Sequence, residues 1–244
     1  LISGFRTAKP KAQKLLNILD NWDCILDKNS TGGTVYQVFL FTLIKNIVQP
    51  HLGKKLTEKY LGIGEHPLLL PVNELLGHST EALIRIFKNS NSKWITSGKS
   101  ALSLIEKSLE QSCLWLEKNM GSDTRDWKWG KIHKAEFQHS LALKKPLDKI
   151  FNLGPYPIGG DTDTVHQSAY NPMSPLHYTS WCPCNRYIID VGNWDNSIAI
   201  SVPGQSGLLG SPHYSDMIPL WREGRYIPML WSKERVKSKA KYTL

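Results

Sequence analysis

Residues 186–207 read RYIIDVGNWDNSIAISVPGQSG, and this stretch decides how the second half of the chain folds. Residues 186–191 (RYIIDV) and 197–202 (SIAISV) are short runs rich in Ile, Val and Tyr, the composition of β-strands. Between them Gly192-Asn193-Trp194-Asp195-Asn196 holds residues that turn a chain, so the two runs are expected to form a hairpin. Runs this apolar are expected to be buried on both faces, in sheet packed on sheet with helices outside.

Working outward, residues 122–244 carry mostly strand and turn signals. Trp127-Lys128-Trp129 alternates like a strand. Gly204-Gln205-Ser206-Gly207 and Gly210-Ser211-Pro212 read as loops, and residues 232–240 as a short final helix. Residues 1–121 read as helical. Residues 11–22 place Leu15, Leu16, Ile18, Leu19 and Trp22 near one helical face. Gly32-Gly33 is expected to break the chain. Thr34 and Gln37 then have the spacing of a capping box, opening an apolar helix that stops before Pro50. Further helices fit residues 74–87 and 100–121, the latter with Leu102, Ile105, Leu109, Cys113 and Leu116 as its stripe. The fold class is α+β, a helical half (1–121) and a β-rich half (122–244) in one structural unit without a clean linker.

The chain has 244 residues, 41% hydrophobic and 21% charged, which is globular composition. The longest apolar run, Val38 to Ile44, is far short of the ~18 residues of a membrane span. Net charge is +9. It is spread along the chain, and only Lys233, Arg235, Lys237, Lys239 and Lys241 are concentrated. No nucleic-acid recognition module accompanies them, so nucleic acid is not an expected partner. The tail reads as a solvated helix or as a basic module for an acidic partner.

Several familiar chemistries are excluded by spacing. Gly98-Lys99-Ser100 lacks the upstream Gly of a P-loop, there is no HExxH, and Ser206 is one residue short of a nucleophile elbow. Cys182-Pro183-Cys184 has no second ligand pair and reads as ordinary thiols. Gly159-Gly160-Asp161-Thr162-Asp163-Thr164 offers two carboxylates, too few for a Ca²⁺ shell, and reads as a tight turn whose Asp side chains bond its own backbone. His133 and His139 are expected to make ordinary hydrogen bonds. Trp127, Trp129, Trp194 and Trp221 read as core aromatics. Asp190, at the end of RYIID, is the one candidate for a supporting catalytic role. The competing reading is a structural carboxylate bonded to Arg186 or to backbone. His213 and Asp216 read as a packing pair.

A series of motifs in fixed order resembles the C-terminal part of the penicillin acylase β subunit, in the N-terminal-nucleophile hydrolases. They are Trp127-Lys-Trp-Gly-Lys-Ile-His133 with Phe137 and His139; Gly159-Gly-Asp-Thr-Asp-Thr-Val165; Arg186-Tyr-Ile-Ile-Asp190; Asp195-Asn-Ser197; Pro203-Gly-Gln-Ser-Gly207; Ser211-Pro-His-Tyr214 with Asp216; and Trp221 with Gly224, Tyr226 and Pro228. Leu19-Asp20-Asn21-Trp22-Asp23 and the helix after Gly33 are similar to the region just upstream. Where the family has a run of small residues before the Ile-Ile-Asp strand, this chain has Trp181-Cys-Pro-Cys-Asn-Arg186.

The resemblance implies a place in a four-layer αββα sandwich and a parent that hydrolyses acyl amides, such as β-lactam side chains or N-acyl-homoserine lactones. It implies an N-terminal Ser nucleophile and an oxyanion-binding Asn, both upstream of the matched region. Leu1 has no hydroxyl or thiol and Ser3 no free α-amine here, so this segment is expected to be inactive alone. It also implies Asp190 at the position of a supporting carboxylate. No cofactor is expected in this segment; where family members bind Ca²⁺, the resemblance implies ligands that lie mostly upstream of it. The partners expected are the α subunit and the N-terminal part of β, with a homo-oligomer as a further state.

Overall fold

The computed structural model describes residues 5–62, 79–89, 92–95, 100–174 and 179–240. Leu1, Ser3, residues 74–78 of the helix expected over 74–87, Gly98-Lys99 and Lys241 lie outside the described residues. Two units form, Leu1–Glu136 with Pro155–Cys182, and Phe137–Gly154 with Pro183–Leu244.

In the first unit, α1 (Pro10–Asp20), α2 (Thr31–Leu61) and α4 (Ala101–Met120) pack on one another. A shorter α3 spans Ser79–Lys88. α4 is closed by local chemistry at both ends. Ser100 Oγ accepts from Ser103 N at 3.0 Å, and Gly121 follows the last turn at φ 89°. Its buried stripe is Leu104, Ile105, Leu109, Cys113 and Leu116; Leu102, expected on that stripe, faces solvent. Leu15 and Leu16 of α1 and Val35, Val38, Leu43, Ile44 and Ile47 of α2 complete the core. Each such side chain contributes about 1.5–3 kcal/mol by leaving water.

α2 departs from the sequence reading at both ends. Its N-cap is Ser30, whose Oγ accepts from Gly33 N at 2.9 Å, and Gly32-Gly33 lie inside the first turn. The glycines are there for clearance: a Cβ on Gly32 would collide with the Trp22 ring, and one on Gly33 with Leu26. Thr34 Oγ1 donates to Ser30 O, so Thr34 caps nothing and Gln37 is released for another role. At the other end the helix runs through Pro50 and bends at Gly53, where φ is +70° and an added Cβ would meet nothing. The break falls on the residue that tolerates positive φ rather than on the proline.

Trp127 and Trp129 are not in a strand. Trp127 closes a 3₁₀ turn (Thr124–Asp126) and Trp129 opens α5 (Trp129–Ile132). Both are fully buried, and each indole N–H donates to a backbone carbonyl, Trp127 to Gly121 at 2.7 Å and Trp129 to Gly160 at 2.9 Å. Two inward tryptophans two residues apart imitate strand alternation. Strands β1 (Lys134–Phe137) and β2 (Leu153–Pro157) form one two-stranded sheet, and β3 (Ala169–Tyr170) and β4 (Thr179–Trp181) another.

The second unit holds α6 (Asp148–Phe151) and the three-stranded sheet β5 (Asn185–Ile188), β6 (Ile198–Ser201) and β7 (Ile227–Pro228), with β6 central. β5 and β6 are the expected hairpin, antiparallel with Arg186 opposite Ile200 and Ile188 opposite Ile198. Burial is one-sided. Ile200 is 1% exposed, but Tyr187, Ile188, Ile189 and Val191 are open, Val191 at 80%. The expectation that RYIIDV is buried is therefore corrected: β5 is an edge strand, and Ile189 and Val191 lie past its end. α7 (Ile218–Arg222) buries Trp221, and α8 (Lys233–Lys239) is the expected basic helix, N-capped by Ser232. No described helix is long and apolar enough to cross a membrane.

Candidate functional site

The family-like motifs of the first unit converge on one buried polar cluster. α2 projects Gln37 inward. Its Nε2 donates to Asp161 Oδ2 at 2.5 Å, and its Oε1 accepts from the Tyr170 hydroxyl at 2.6 Å. Asp161 sits in the turn that follows Gly159-Gly160. As expected, that turn bonds itself: Asp161 Oδ1 accepts from Asp163 N at 2.9 Å, and Thr164 Oγ1 accepts from Asp161 N at 2.8 Å. The bond to Gln37 was not legible in the sequence. Burial pushes the Asp161 carboxyl above the usual carboxylate range, against the hydrogen bonds from Asp163 N and Gln37, which favour the charged form. Burial also drives the Tyr170 phenol well up, so it remains a neutral donor.

Aromatic rings enclose this cluster. Trp129 stacks on His133 at 4.6 Å, and Tyr170 meets both edge-on. His133 Nε2 is 2.9 Å from Ser168 Oγ, and that hydroxyl donates to Gly159 O at 3.1 Å. With the Ser168 proton committed to the carbonyl, His133 Nε2 is the donor. Both residues are fully buried, so this Ser–His pair braces the Gly159–Ser168 loop and has no approach for a substrate.

In the second unit, Asp190 stands at the head of the turn after β5. Its Oδ1 accepts from Gly192 N at 2.9 Å and Asn193 N at 3.0 Å, and its Oδ2 from Asn196 Nδ2 at 3.1 Å. The Asn196 amide, then the N–H groups of Asn193 and Gly192, hold its carboxyl below the ordinary value. Asp195 does the same for the downstream chain, accepting from Trp231 N at 2.8 Å and Ser232 N at 2.9 Å. Trp194, read as core, is half exposed because it lies in the 3₁₀ turn at the tip, where it pairs with Trp231 at 5.5 Å.

Arg186 lies over the buried Trp221 ring at 4.5 Å and donates from Nη1 to the Trp221 carbonyl at 3.1 Å. Trp221 Nε1 donates to Pro183 O, within the divergent Cys-Pro-Cys stretch. Pro203–Gly207 and Ser211–Asp216 form a single packed corner. Ser206 N donates to His213 O at 3.0 Å, His213 Nδ1 pairs with Asp216 Oδ2 at 2.8 Å, and a Cβ on Gly204 would collide with the His213 carbonyl. Tyr214 is buried beneath, its hydroxyl on Phe151 O at 2.6 Å.

Among the described residues no three His, Cys, Asp or Glu side chains come together as a metal site. Asp161, the acidic spot, spends its oxygens on Gln37 and the turn. The described residues do not fit a Ca²⁺ shell.

A penicillin amidase family model matches residues 2–238. An acyl-homoserine lactone acylase, QuiP of Pseudomonas aeruginosa, is 26% identical over 236 residues, 90% of this chain and 27% of its own. A penicillin acylase 2 proenzyme of a Pseudomonas species is 38% identical over 113 residues, 46% of this chain and 14% of its own. A thermostable penicillin G acylase of Alcaligenes faecalis aligns over 100% of this chain and 44% of its own with TM-score 0.54 and 15% identity, a likeness of fold. The chain thus spans about a quarter or less of the curated relatives it matches. It belongs to the penicillin amidase family.

Proposed function

We propose that this chain is the C-terminal part of the β subunit of an acylase that hydrolyses linear amides, on β-lactam side chains or N-acyl-homoserine lactones. Its role there is to hold the strands and turns of an αββα sandwich. The nucleophilic Ser and the oxyanion-binding Asn come from upstream sequence, and the α subunit and the N-terminal part of β are its partners. The observation that carries the reading is the match along residues 2–238. The buried cluster of Gln37, Asp161, Tyr170, His133 and Ser168 supports it, because the motif residues there are spent on one another.

On this reading the isolated chain turns over no acyl amide, since it brings no activated nucleophile. The test is to assay the purified chain against penicillin G and N-acyl-homoserine lactones, then repeat after adding the remaining acylase segments. Expected is no turnover alone and hydrolysis after reconstitution. Turnover by the isolated chain that one substitution within it abolishes would overturn the proposal.

A further inference from the structure

Helices α2 and α4 do not close completely on each other. Two adjoining solvent-open clefts flank α2, one of about 660 Å³ between α2 and α4 and one of about 190 Å³ between α2 and Pro172-Met173, and Thr42, Lys45 and Trp115 line both. Along α2 the wall runs from Val38 in the smaller cleft through the shared Thr42 and Lys45 to Gln49 in the larger, one face of the helix over roughly three turns.

The two ends of this groove differ in chemistry. The smaller arm is walled by Val38, Phe41, Leu61, Pro172 and Met173. It is open to solvent at Lys45 and Met173, so a guest enters from the surface. The larger end carries Lys107, Asn46 and Gln111. Asn46 Nδ2 donates to Gln111 Oε1 at 2.8 Å and to Ser108 Oγ at 2.9 Å, which leaves Gln111 Nε2 to donate to a guest. The acids of α4 are engaged elsewhere: Glu106 and Glu110 lie on Lys9, and Glu117 on Lys11 and Lys14. Among the described residues no carboxylate pairs with Lys45 or Lys107.

We propose that the groove between α2 and α4 binds an aliphatic monocarboxylate, its tail in the Phe41–Leu61–Met173 arm and its carboxylate at Lys45, Lys107 and Gln111. The apolar wall takes part of the tail from water, and two ammonium groups with an amide fix the polarity of the guest. The site is distinct from the motif cluster around Asp161 and does not depend on the acylase reading.

The test titrates the full 244-residue chain with sodium butanoate, hexanoate and octanoate by calorimetry, with octanamide as the neutral control. One octanoate is expected per chain, with a Kd of about 0.1–1 mM for a ligand of this size. Affinity should rise about tenfold for each two methylenes until the arm is full. Lys45→Gln should weaken octanoate about five- to tenfold and leave octanamide unchanged. Met173→Trp should fill the arm and abolish the chain-length dependence. Lys45 and Met173 are exposed, so both variants should keep the helical circular dichroism of the parent. Any of three results would overturn the proposal: no saturable binding at 10 times the expected Kd, affinity independent of tail length, or octanoate bound equally by Lys45→Gln.

Discussion

Gln37 and Asp161 lie 124 residues apart in the chain and are joined by a 2.5 Å hydrogen bond within the first unit. The amide has a fixed polarity: its oxygen takes the Tyr170 proton, so its nitrogen must face an acceptor. Only a carboxylate in Asp161's place satisfies both that donor and the backbone N–H of Asp163. Gln37→Leu strands a buried hydroxyl and a buried carboxylate oxygen together, and should cost about 2–5 kcal/mol. Tyr170→Phe alone should cost about 1–2 kcal/mol, because it removes one partner of a bond that Gln37 otherwise shares. Chemical denaturation of the two single variants and the double should show strong coupling. Additive effects would mean the relay is not a unit.

Asp161 gives this unit a pH dependence of definite sign. Its carboxyl is raised in the fold by burial, so the folded state holds the proton more tightly than the unfolded chain does. Stability then falls as pH rises from the ordinary carboxylate value to the raised one, and levels off above it. Asp161→Asn removes that slope but places an amide nitrogen against Gln37 Nε2 or Asp163 N. The variant should be less stable at every pH above the window, with a flatter curve across it. Thermal melts over pH 3–7 check both features, and a steeper slope in the variant would reverse the assignment.

Gly160 joins the aromatic cluster to the Asp161 turn under two constraints. Its φ is +80°, and a Cβ would collide with the His166 carbonyl oxygen. Its own carbonyl must also reach Trp129 Nε1. Gly160→Ala should therefore cost about 2–4 kcal/mol, combining left-handed strain with overpacking against backbone. Gly121→Ala is the control: φ is +89°, but nothing lies within reach of a Cβ, so only the strain remains. A cost at Gly160 no larger than at Gly121 would show that the loop gives way.

What the sequence made legible is what local chemistry determines. α4 could be read to within a residue because Ser100 and Gly121 mark its ends. α8 and the β5–β6 hairpin were legible for the same reason. α2 was misplaced because Gly32 and Gly33 look like a break until Trp22 and Leu26 are known to pack there. The motif order revealed the family, but not why Asp161 matters. Gln37 sits at capping-box spacing from Thr34, and its true partner is far along the chain. The exposed face of β5 was equally hidden, since a run of Ile, Tyr and Val reads as buried whether or not anything covers it.

Asp190 is where the sequence left two readings open, a supporting catalytic carboxylate and a structural one. Its carboxylate accepts from Gly192 N, Asn193 N and Asn196 Nδ2, and the backbone N–H of Asp190 donates to Ser197 Oγ at 3.1 Å. We propose that it acts as the brace of this turn in the whole acylase. Asp190→Ala loses all the acceptors, whereas Asp190→Asn keeps one oxygen for the two backbone donors and Asn196 can reverse its amide. The melting temperature should thus fall more for Ala than for Asn, with kcat unchanged in both. Because the carboxyl is held below its ordinary value, its contribution is present above that value and lost as pH falls through the lowered one. The gap between wild type and Asp190→Asn should accordingly close in acid. A catalytic carboxylate behaves in the opposite way: Asp190→Asn would melt normally and lose on the order of 10²-fold or more in kcat. Measuring both quantities on the reconstituted acylase decides between them, and a normal melt with a collapsed kcat would remove the structural assignment.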